Sequence, residues 1–406
     1  FIAAFPAVWS GHLMTVQYSL PAATAYGTAF LRLLLLWRGS VWKLVVIELL
    51  IWALGCIILT AVFLFVIERN EYAESEYCNV LEHMDRLPFK STLTVILGFT
   101  ALTCVQRWMD VYNLLVWPEN VALMFNSWFR DEALAPEEAR IVRHSVYRYL
   151  LLTYILLLRD VSIPIKKQFP TYQHLIQGKL LTKEELELME SSNIDPNYCR
   201  YWMPLLWLCQ LVKKYYKPGR SASSRRATIM EEAHFGKFIN EISRVRGLLG
   251  DILSYDWIPM PLANTQTITF AVYSYLIVDG ILQDYPLCQN NHNWSIMATL
   301  TRFGFSLLLN TFYLGWLKCA QVILNPFGLD DDDFEACALI DMYQRSLAAI
   351  FTRPETLQPV GRHTYGRLPH TVGSALMGGT SETSLVGSMA HKTIPRLGQE
   401  VIRRRR

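Results

Sequence analysis

The chain alternates long uncharged stretches with charged ones. One uncharged stretch, Leu49 to Ile67, is long enough as a helix to cover about 28 Å of a hydrocarbon core that is roughly 30 Å thick. Three further stretches have a similar character, although Arg302 interrupts the last, where a charge lies near the interface or has a partner. The pattern predicts an all-α membrane protein with four transmembrane helices, over about 44–67, 91–108, 257–280 and 294–320.

The region between the second and third predicted spans, about 109–254, has helical patterning but is too polar to cross a bilayer. Pro136, followed by two glutamates, is typical of a helix start. Thr182 with Glu185 predicts a capping box. With 321–350, the region predicts a large cytosolic helical body. Two uncharged stretches in it are too short to span and predict buried helices, namely Tyr149–Leu158 and Trp202–Leu211.

Basic residues near the spans predict the orientation, since Lys and Arg are enriched in cytoplasmic flanks. The segment 68–82 is rich in acids, and 284–294 contains no Lys or Arg, so both are predicted to be loops outside the cell. Cys78 and Cys288 lie in these outer segments, where a disulfide and two free thiols are both consistent with the sequence. Both termini are then cytoplasmic, in agreement with the basic residues before the first span, Arg32, Arg38 and Lys43.

Composition narrows the class of protein. Hydrophobic residues make up 52% of the chain and charged residues 18%, which favours a membrane protein. The net charge of +3, without a basic stripe, excludes a nucleic-acid partner. The eight cysteines form no C-x-x-C pair, so zinc and thioredoxin-like sites are not indicated. Nucleophile elbow, P-loop, H-E-x-x-H and dinucleotide motifs are absent, so the sequence predicts no enzyme.

The ends and one insert lack helical patterning. Residues 1–13 contain no Lys or Arg that could form a signal peptide, and we interpret Met14 as the natural start. The tail 351–406 is rich in small and polar residues and is predicted to be disordered. The insert from Arg220 to Thr228 resembles a basophilic kinase site at Thr228, but a plain flexible loop is the favoured interpretation, because such motifs recur by chance.

Five ordered stretches resemble the bestrophins, and together they extend over about 14–350. The most specific is Gly315 to Glu335, GWLKCAQVILNPFGLDDDDFE. The resemblance implies a calcium-activated chloride or anion channel of the plasma membrane, in which five identical subunits surround one axial pore. It also implies a hydrophobic neck from span two and a cytosolic calcium clasp. The other stretches are Met14–Ser19, Trp37–Ser40, Leu97–Phe99 with Arg107 and Trp108, and Tyr255–Ser274.

The acidic run Asp330 to Asp333 is the candidate regulatory calcium site. Such a run is usually a solvated face, and this one lacks the ligand spacing of an EF-hand. Adjacent carboxylates repel one another, which a hard divalent cation offsets. The resemblance implies side-chain ligands from Asp330 and Asp333 and backbone carbonyl ligands from Ala23, Val322 and Asn325.

Ser91, Val95 and Phe99 are spaced to lie on one face of span two. Periodicity alone favours an ordinary packing stripe, whereas the resemblance implies that these positions line the neck. The family usually has Ile and Phe at the first two positions and proline at Thr92, so we expect a leakier neck with Phe99 as the remaining constriction. For a second, cytosolic constriction, the resemblance suggests Ala233.

Two further functions are consistent with the sequence. Asp279 and Arg302 could form a transporter relay, but both lie toward predicted outer ends and the chain has no evident inverted repeat. A non-conducting bestrophin-like subunit that regulates or assembles with other channels is the main alternative to the channel. The expected partners are four further copies of the chain, membrane lipid, chloride and other small anions.

Overall fold

The computed structural model describes residues 31, 33–86, 89–192, 194–195, 198–216, 228–289 and 296–352. At residues 89–91, 289 and 296 it describes the backbone and not the side chain. Several predictions fall outside these ranges: the extension 1–13, the start at Met14, Arg32, Ala23, the insert before Thr228 and the tail beyond residue 352.

The described part of the chain forms α-helices joined by turns and longer loops, and it contains no strand. The all-helical prediction is therefore confirmed for these residues. The helices are α1 Val41–Val62, extended by a π-helical turn Phe63–Ile67, α2 Glu71–Asp85, α3 Phe89–Leu114, α4 Glu119–Trp128, α5 Pro136–Val161, α6 Ile163–Gln168, α7 Tyr172–Gln177, α8 Lys183–Glu190, α9 Trp202–Tyr215, α10 Glu232–Trp257, α11 Leu262–Ile281, α12 Tyr285–Gln289, α13 Ile296–Val322 and α14 Ala336–Phe351.

Helices α1, α3, α11 and α13, which contain most of the four predicted spans, share one hydrophobic core. The Trp52 ring stacks on Phe303 with centroids 5.5 Å apart, and its Nε1 donates a hydrogen bond of 3.0 Å to the carbonyl of Leu276. Many apolar side chains on the outer faces of this four-helix bundle are exposed, so the bundle is apolar inside and outside. The inward residues include Val45, Leu49, Cys56, Leu93, Leu97, Ile268, Val272, Tyr275, Tyr313 and Leu317.

A second and larger core holds the remaining long helices together. Helix α5 lies at its centre, because Leu150 to Leu158 are all buried. The helix begins at Pro136 with two glutamates in its first turn, as the sequence predicted. The Thr182 capping box is also present, with both reciprocal hydrogen bonds formed. Local signals therefore located these helix starts correctly.

By length and hydropathy, two of the described helices could cross a membrane: Val41–Ile67 and Pro136–Val161. The second is mostly buried against its neighbours, which is typical of a core helix. The other three predicted spans lie on the long helices α3, α11 and α13. Among the described residues, the predicted span that meets this criterion is therefore the first one.

Two predicted boundaries differ from the structure. The third span was placed from residue 257, but Trp257 ends α10 and α11 begins at Leu262, because Pro259 and Pro261 cannot continue a helix. The segment 68–82, which was predicted to be an outer loop, is mostly helix α2. The Asn70 side chain accepts a hydrogen bond from the backbone N–H of Tyr72, and acids occupy the first turn, which stabilises this helix start.

Candidate functional site

The predicted calcium loop follows α13 and folds as a compact turn. The Asn325 side chain accepts from the Phe327 N–H at 3.4 Å, and its carbonyl accepts from the Gly328 N–H at 3.2 Å. The Phe334 N–H then donates to the Pro326 carbonyl at 2.8 Å, which closes the loop. These bonds place Asn325 beside the end of the acidic run.

Asp333 is the buried carboxylate of this loop, with 5% of its surface exposed. Its Oδ2 accepts a hydrogen bond of 2.6 Å from the Asp330 N–H. Its Oδ1 is buried and has no hydrogen-bond partner among the described residues. A Cβ atom at Gly328 would lie 2.7 Å from Asp333 Oδ2 and 3.4 Å from the Asn325 carbonyl oxygen. A side chain at Gly328 would therefore intrude between two oxygen donors.

The acids of the run experience different surroundings. Burial raises the pKa of Asp333 to about 6, although the backbone hydrogen bond from Asp330 opposes this. Burial, followed by the charges of its acidic neighbours, raises the pKa of Asp332. The hydrogen bond from Lys43 lowers the pKa of Asp331. Repulsion between neighbouring carboxylates therefore adds to burial in raising the pKa of Asp332 and of Asp333.

Asp331 ties the acidic loop to the start of α1, a role that the sequence did not reveal. Its Oδ2 accepts from Lys43 Nζ at 2.6 Å and from the Gly39 N–H at 3.1 Å. Gly39 has a φ of 65°, a conformation that favours glycine. Arg38 adds an ion pair to Glu335, with 3.8 Å between their atoms. No local signal predicts these contacts, because the partners lie almost 300 residues apart.

The structure brings together part of the predicted ligand set. The Asn325 carbonyl and the Asp333 carboxylate lie on either side of Gly328, and the Asp330 N–H donates to Asp333. Val322 is the last residue of α13, where helix carbonyls lack an intrahelical partner. The Asp330 side chain is exposed. Among the described residues, no three acidic, histidine or cysteine side chains gather around one possible metal position. A buried carboxylate oxygen without a donor, beside backbone carbonyls, is nevertheless the hard-oxygen chemistry that suits calcium.

The predicted neck residues lie on α3. Val95 is 57% exposed and Phe99 is 69% exposed, whereas Leu93 and Leu97 are buried in the bundle core. Ser91 lies on the same helix, one turn before Val95. The described side chains of the predicted stripe therefore do not pack inside their own subunit. This observation argues against the interpretation as an ordinary packing stripe within one chain.

The remaining sequence predictions fall in separate places. Ala233 is exposed in the first turn of α10, and Thr228 lies just before that helix and is half-buried. Arg302 has partners: it pairs with Asp85 at 3.6 Å and lies over the ring of Tyr285. Cys78 and Cys288, on α2 and α12, form a disulfide, which decides between the two alternatives left open by the sequence.

Comparison with known proteins identifies relatives over most of the chain. A family profile described as "Bestrophin, RFP-TM, chloride channel" matches residues 14–352. The chain is 32% identical over 333 residues to Bestrophin homolog 22 of Caenorhabditis elegans, covering 81% of this chain and 62% of that protein. It is 30% identical over 391 residues to Bestrophin-1 of Homo sapiens, covering 92% of this chain and 63% of that protein. The chain thus spans less than two thirds of these relatives.

Solved structures share the fold. A crystal structure of a bacterial Bestrophin homolog from Klebsiella pneumoniae, obtained by Zn-SAD phasing, matches with a TM-score of 0.53 at 18% identity. The match covers 76% of this chain and 99% of that one. At this identity the likeness concerns the fold alone, whereas the family profile extends over most of the sequence. The chain therefore belongs to the bestrophin family.

Proposed function

We propose that this chain is one subunit of a pentameric, calcium-activated anion channel of the plasma membrane, with chloride as the main permeant ion. The family profile is described as a chloride channel, which supports the permeant ion. Helices α1, α3, α11 and α13 are the four membrane spans. Both termini are cytoplasmic, and α2 and α12 lie outside the cell.

The shared core of the four helices supports the membrane arrangement. Exposed apolar side chains on α1, such as Ile51 and Ile57, suit contact with lipid. The disulfide between Cys78 and Cys288 supports the external position of α2 and α12, because disulfides persist in oxidising compartments. The second candidate span, Pro136–Val161, stays in the cytosolic body because its apolar side chains are already covered by protein.

The observation that supports calcium regulation is the buried Asp333 Oδ1, which has no hydrogen-bond partner in the described part of the chain. Calcium would be held by carboxylates of Asp330 and Asp333 and by carbonyls of Ala23, Val322 and Asn325. It would supply the positive charge that this oxygen lacks. Because Asp331 binds Lys43, the calcium loop is mechanically linked to the start of α1. Calcium can therefore bias the packing of the first span against the fourth.

The neck is assigned to the exposed face of α3. Five copies of Val95 and Phe99 around an axis would form two apolar rings, which close a pore by dewetting. Ser91 forms a third, polar ring, so Phe99 provides the main constriction and the closed state leaks. We keep Ala233 as the position of a second, cytosolic constriction.

Proteoliposomes test this proposal. We expect chloride efflux from vesicles containing the purified protein to rise with free calcium, and the double variant Asp330→Ala with Asp333→Ala to need at least about tenfold more calcium. Glu137→Ala with Glu138→Ala is the control, because it also removes two carboxylates, in exposed positions on α5. A folded protein that passes no chloride at any calcium concentration would instead be a non-conducting subunit. An unchanged calcium response in the aspartate double variant would disprove the site.

A further inference from the structure

A cluster of buried polar side chains lies inside the four-helix bundle, away from the calcium loop. Asp279 on α11 is 2% exposed, and Asn310 on α13 is 0% exposed. Gln283, in the turn after α11, is 4% exposed, and Ser306 on α13 is 6% exposed. The channel mechanism proposed above uses none of these four residues. Because most inward residues of this bundle are apolar, a cluster of buried polar side chains needs an interaction that offsets the cost of burying it.

The four side chains form one hydrogen-bonded network. Ser306 Oγ donates to Asp279 Oδ1 at 3.2 Å, and Asn310 Nδ2 donates to Asp279 Oδ2 at 3.2 Å. Gln283 Nε2 donates to Ser306 Oγ at 2.8 Å and to the Asp279 carbonyl at 3.1 Å. The amide nitrogens of Gln283 and Asn310 both donate hydrogen bonds within the network, which fixes the orientation of each amide group.

Two amide oxygens of this network have no hydrogen-bond donor. Gln283 Oε1 and Asn310 Oδ1 are buried and accept no hydrogen bond within the described ranges. Asp279 receives neutral donors, and within the same ranges it forms no ion pair with Lys, Arg or His. The two cations on the same helix as Asn310 have other partners: Arg302 pairs with Asp85, and Lys318 pairs with Glu48. The cluster thus combines one carboxylate with two carbonyl oxygens that lack a positive partner.

Burying a carboxylate without a compensating positive charge costs several kcal/mol or more. A cation bound among the oxygens removes this cost and also satisfies the two amide oxygens. Carboxylate, amide carbonyl and hydroxyl are hard oxygen ligands, which select hard cations over softer transition metals. One carboxylate balances one positive charge. We propose that Asp279, Gln283, Ser306 and Asn310 form an internal site for a small monovalent cation of the sodium type.

The position of the cluster indicates its entrance. Asp279 is two residues from the end of α11, next to the turn that contains Asp284. Asp284 accepts hydrogen bonds from Thr60 Oγ1 at 2.6 Å and from Tyr77 Oη at 3.1 Å, so it links α11 to α1 and to the outer helix α2. In the proposed topology this end of the bundle faces the cell exterior, where sodium is the abundant cation. The bound ion would lock α11 to α13.

Thermal unfolding of the purified protein in detergent tests the site. Calcium is removed with EGTA, chloride is kept constant, and sodium is exchanged for N-methyl-D-glucamine, which keeps the ionic strength fixed. We expect saturating sodium to raise Tm by ~5 °C. The variant Asp279→Asn should lose this shift. Glu76→Gln, which removes an exposed acid on α2, should keep it. The measurement needs neither conduction nor calcium, so it is independent of the proposed function.

A second variant covers the possibility that Asp279→Asn does not fold. Asn310→Ala keeps the carboxylate but removes one of the unpaired oxygens, and we expect it to raise the sodium concentration at half-maximal shift by about tenfold. The proposal is overturned if the wild-type Tm is the same in sodium and in N-methyl-D-glucamine. It is also overturned if the sodium shift persists unchanged in Asp279→Asn or in Asn310→Ala.

Discussion

Glu185 and Arg148 form a largely buried ion pair in the larger helical core. Two parallel bonds of 2.5 and 2.6 Å join the guanidinium to the carboxylate, and the side chains are 12% exposed each. The same carboxylate accepts from Tyr149 and from the Thr182 N–H. One residue therefore caps α8 and neutralises a cation on α5. Burial opposes ionisation of Glu185, but the hydrogen bonds from Arg148 and Thr182 outweigh it and lower its pKa.

This arrangement predicts a pH dependence of stability. Because the pKa of Glu185 is lower in the folded protein, its contribution is fully present above the unfolded carboxyl pKa of about 4.3 and is lost as pH falls through the folded value. We expect Glu185→Gln to reduce the free energy of unfolding at neutral pH by about 3 kcal/mol, since Arg148 would be left buried without its partner. Thermal unfolding between roughly pH 7 and pH 3 should show the two proteins converging toward acid.

The matched control is Glu137→Gln, which breaks the ion pair with Arg140 on the surface of α5. Both of these side chains are 76% exposed, so the change should stay within about 0.5 kcal/mol at every pH. Equal losses for the two variants would contradict the role assigned to burial at Glu185.

At the scale of elements, α1 and α13 approach closely where Val41 faces Gly315. A Cβ atom at Gly315 would lie 2.6 Å from Val41 Cγ2, so either the Val41 side chain or one of the two helices would have to shift. We expect Gly315→Ala to destabilise the bundle by about 1–3 kcal/mol through overpacking. Adding Val41→Ala should restore much of the loss, because it removes the clashing methyl group. Thermal unfolding of the two single variants and the double variant measures this coupling.

Gly304 on the same helix provides the control for this prediction. A Cβ atom there would have no heavy atom within 4 Å, so Gly304→Ala should be neutral or raise stability by up to about 1 kcal/mol. If Gly315→Ala had the same effect on stability as Gly304→Ala, this would contradict a tight contact between α1 and α13 at Val41.

The exposed face of α3 predicts an effect on gating. Phe99→Ala would remove the largest apolar ring of the proposed neck, so we expect higher chloride current at low calcium and a weaker closed state. Single-channel recording measures both quantities. Leu50→Ala is the control, because Leu50 on α1 is also apolar and is 65% exposed, on a helix assigned to the lipid-facing side. A Phe99→Ala channel with wild-type gating and selectivity would remove Phe99 from the pore.

At the scale of the whole molecule, the disulfide and the free thiols report the orientation in the membrane. Cys78 and Cys288 are bonded between α2 and α12, whereas Cys319 is an exposed free thiol near the opposite end of α13. On intact cells, a membrane-impermeant phosphine followed by an impermeant maleimide should label Cys78 and Cys288 but not Cys319. The doubly substituted Cys78→Ser, Cys288→Ser protein should stay unlabelled.

Permeabilised cells complete this experiment, because Cys319 should then react as well. Labelling of Cys319 in intact cells, with Cys78 and Cys288 protected until permeabilisation, would invert the proposed topology. Such a result would also place the calcium loop outside the cell and contradict its assignment to cytosolic regulation.

The sequence by itself determined the features that depend on neighbouring residues. The helix start at Pro136 and the capping box at Thr182 were predicted correctly, because caps and proline act within one turn. The uncharged run of α1 also predicted a span, and it forms a helix that is long and apolar enough to cross a membrane. The acidic run after α13 was visible as a candidate site, and its resemblance to a known family was visible in the order of its motifs.

Only the tertiary structure decided which distant residues meet. Asp331 binds Lys43 across 288 positions, and Cys78 bonds with Cys288 across 210. The hydrogen bonds from Ser306 and Asn310 to Asp279 likewise depend on how α11 and α13 are rotated against each other. The sequence had predicted that the uncharged run of α5 is buried, and the structure shows which helices cover it. Local patterns fix helices because their hydrogen bonds are local, whereas partners across the bundle follow from the packing of all its helices at once.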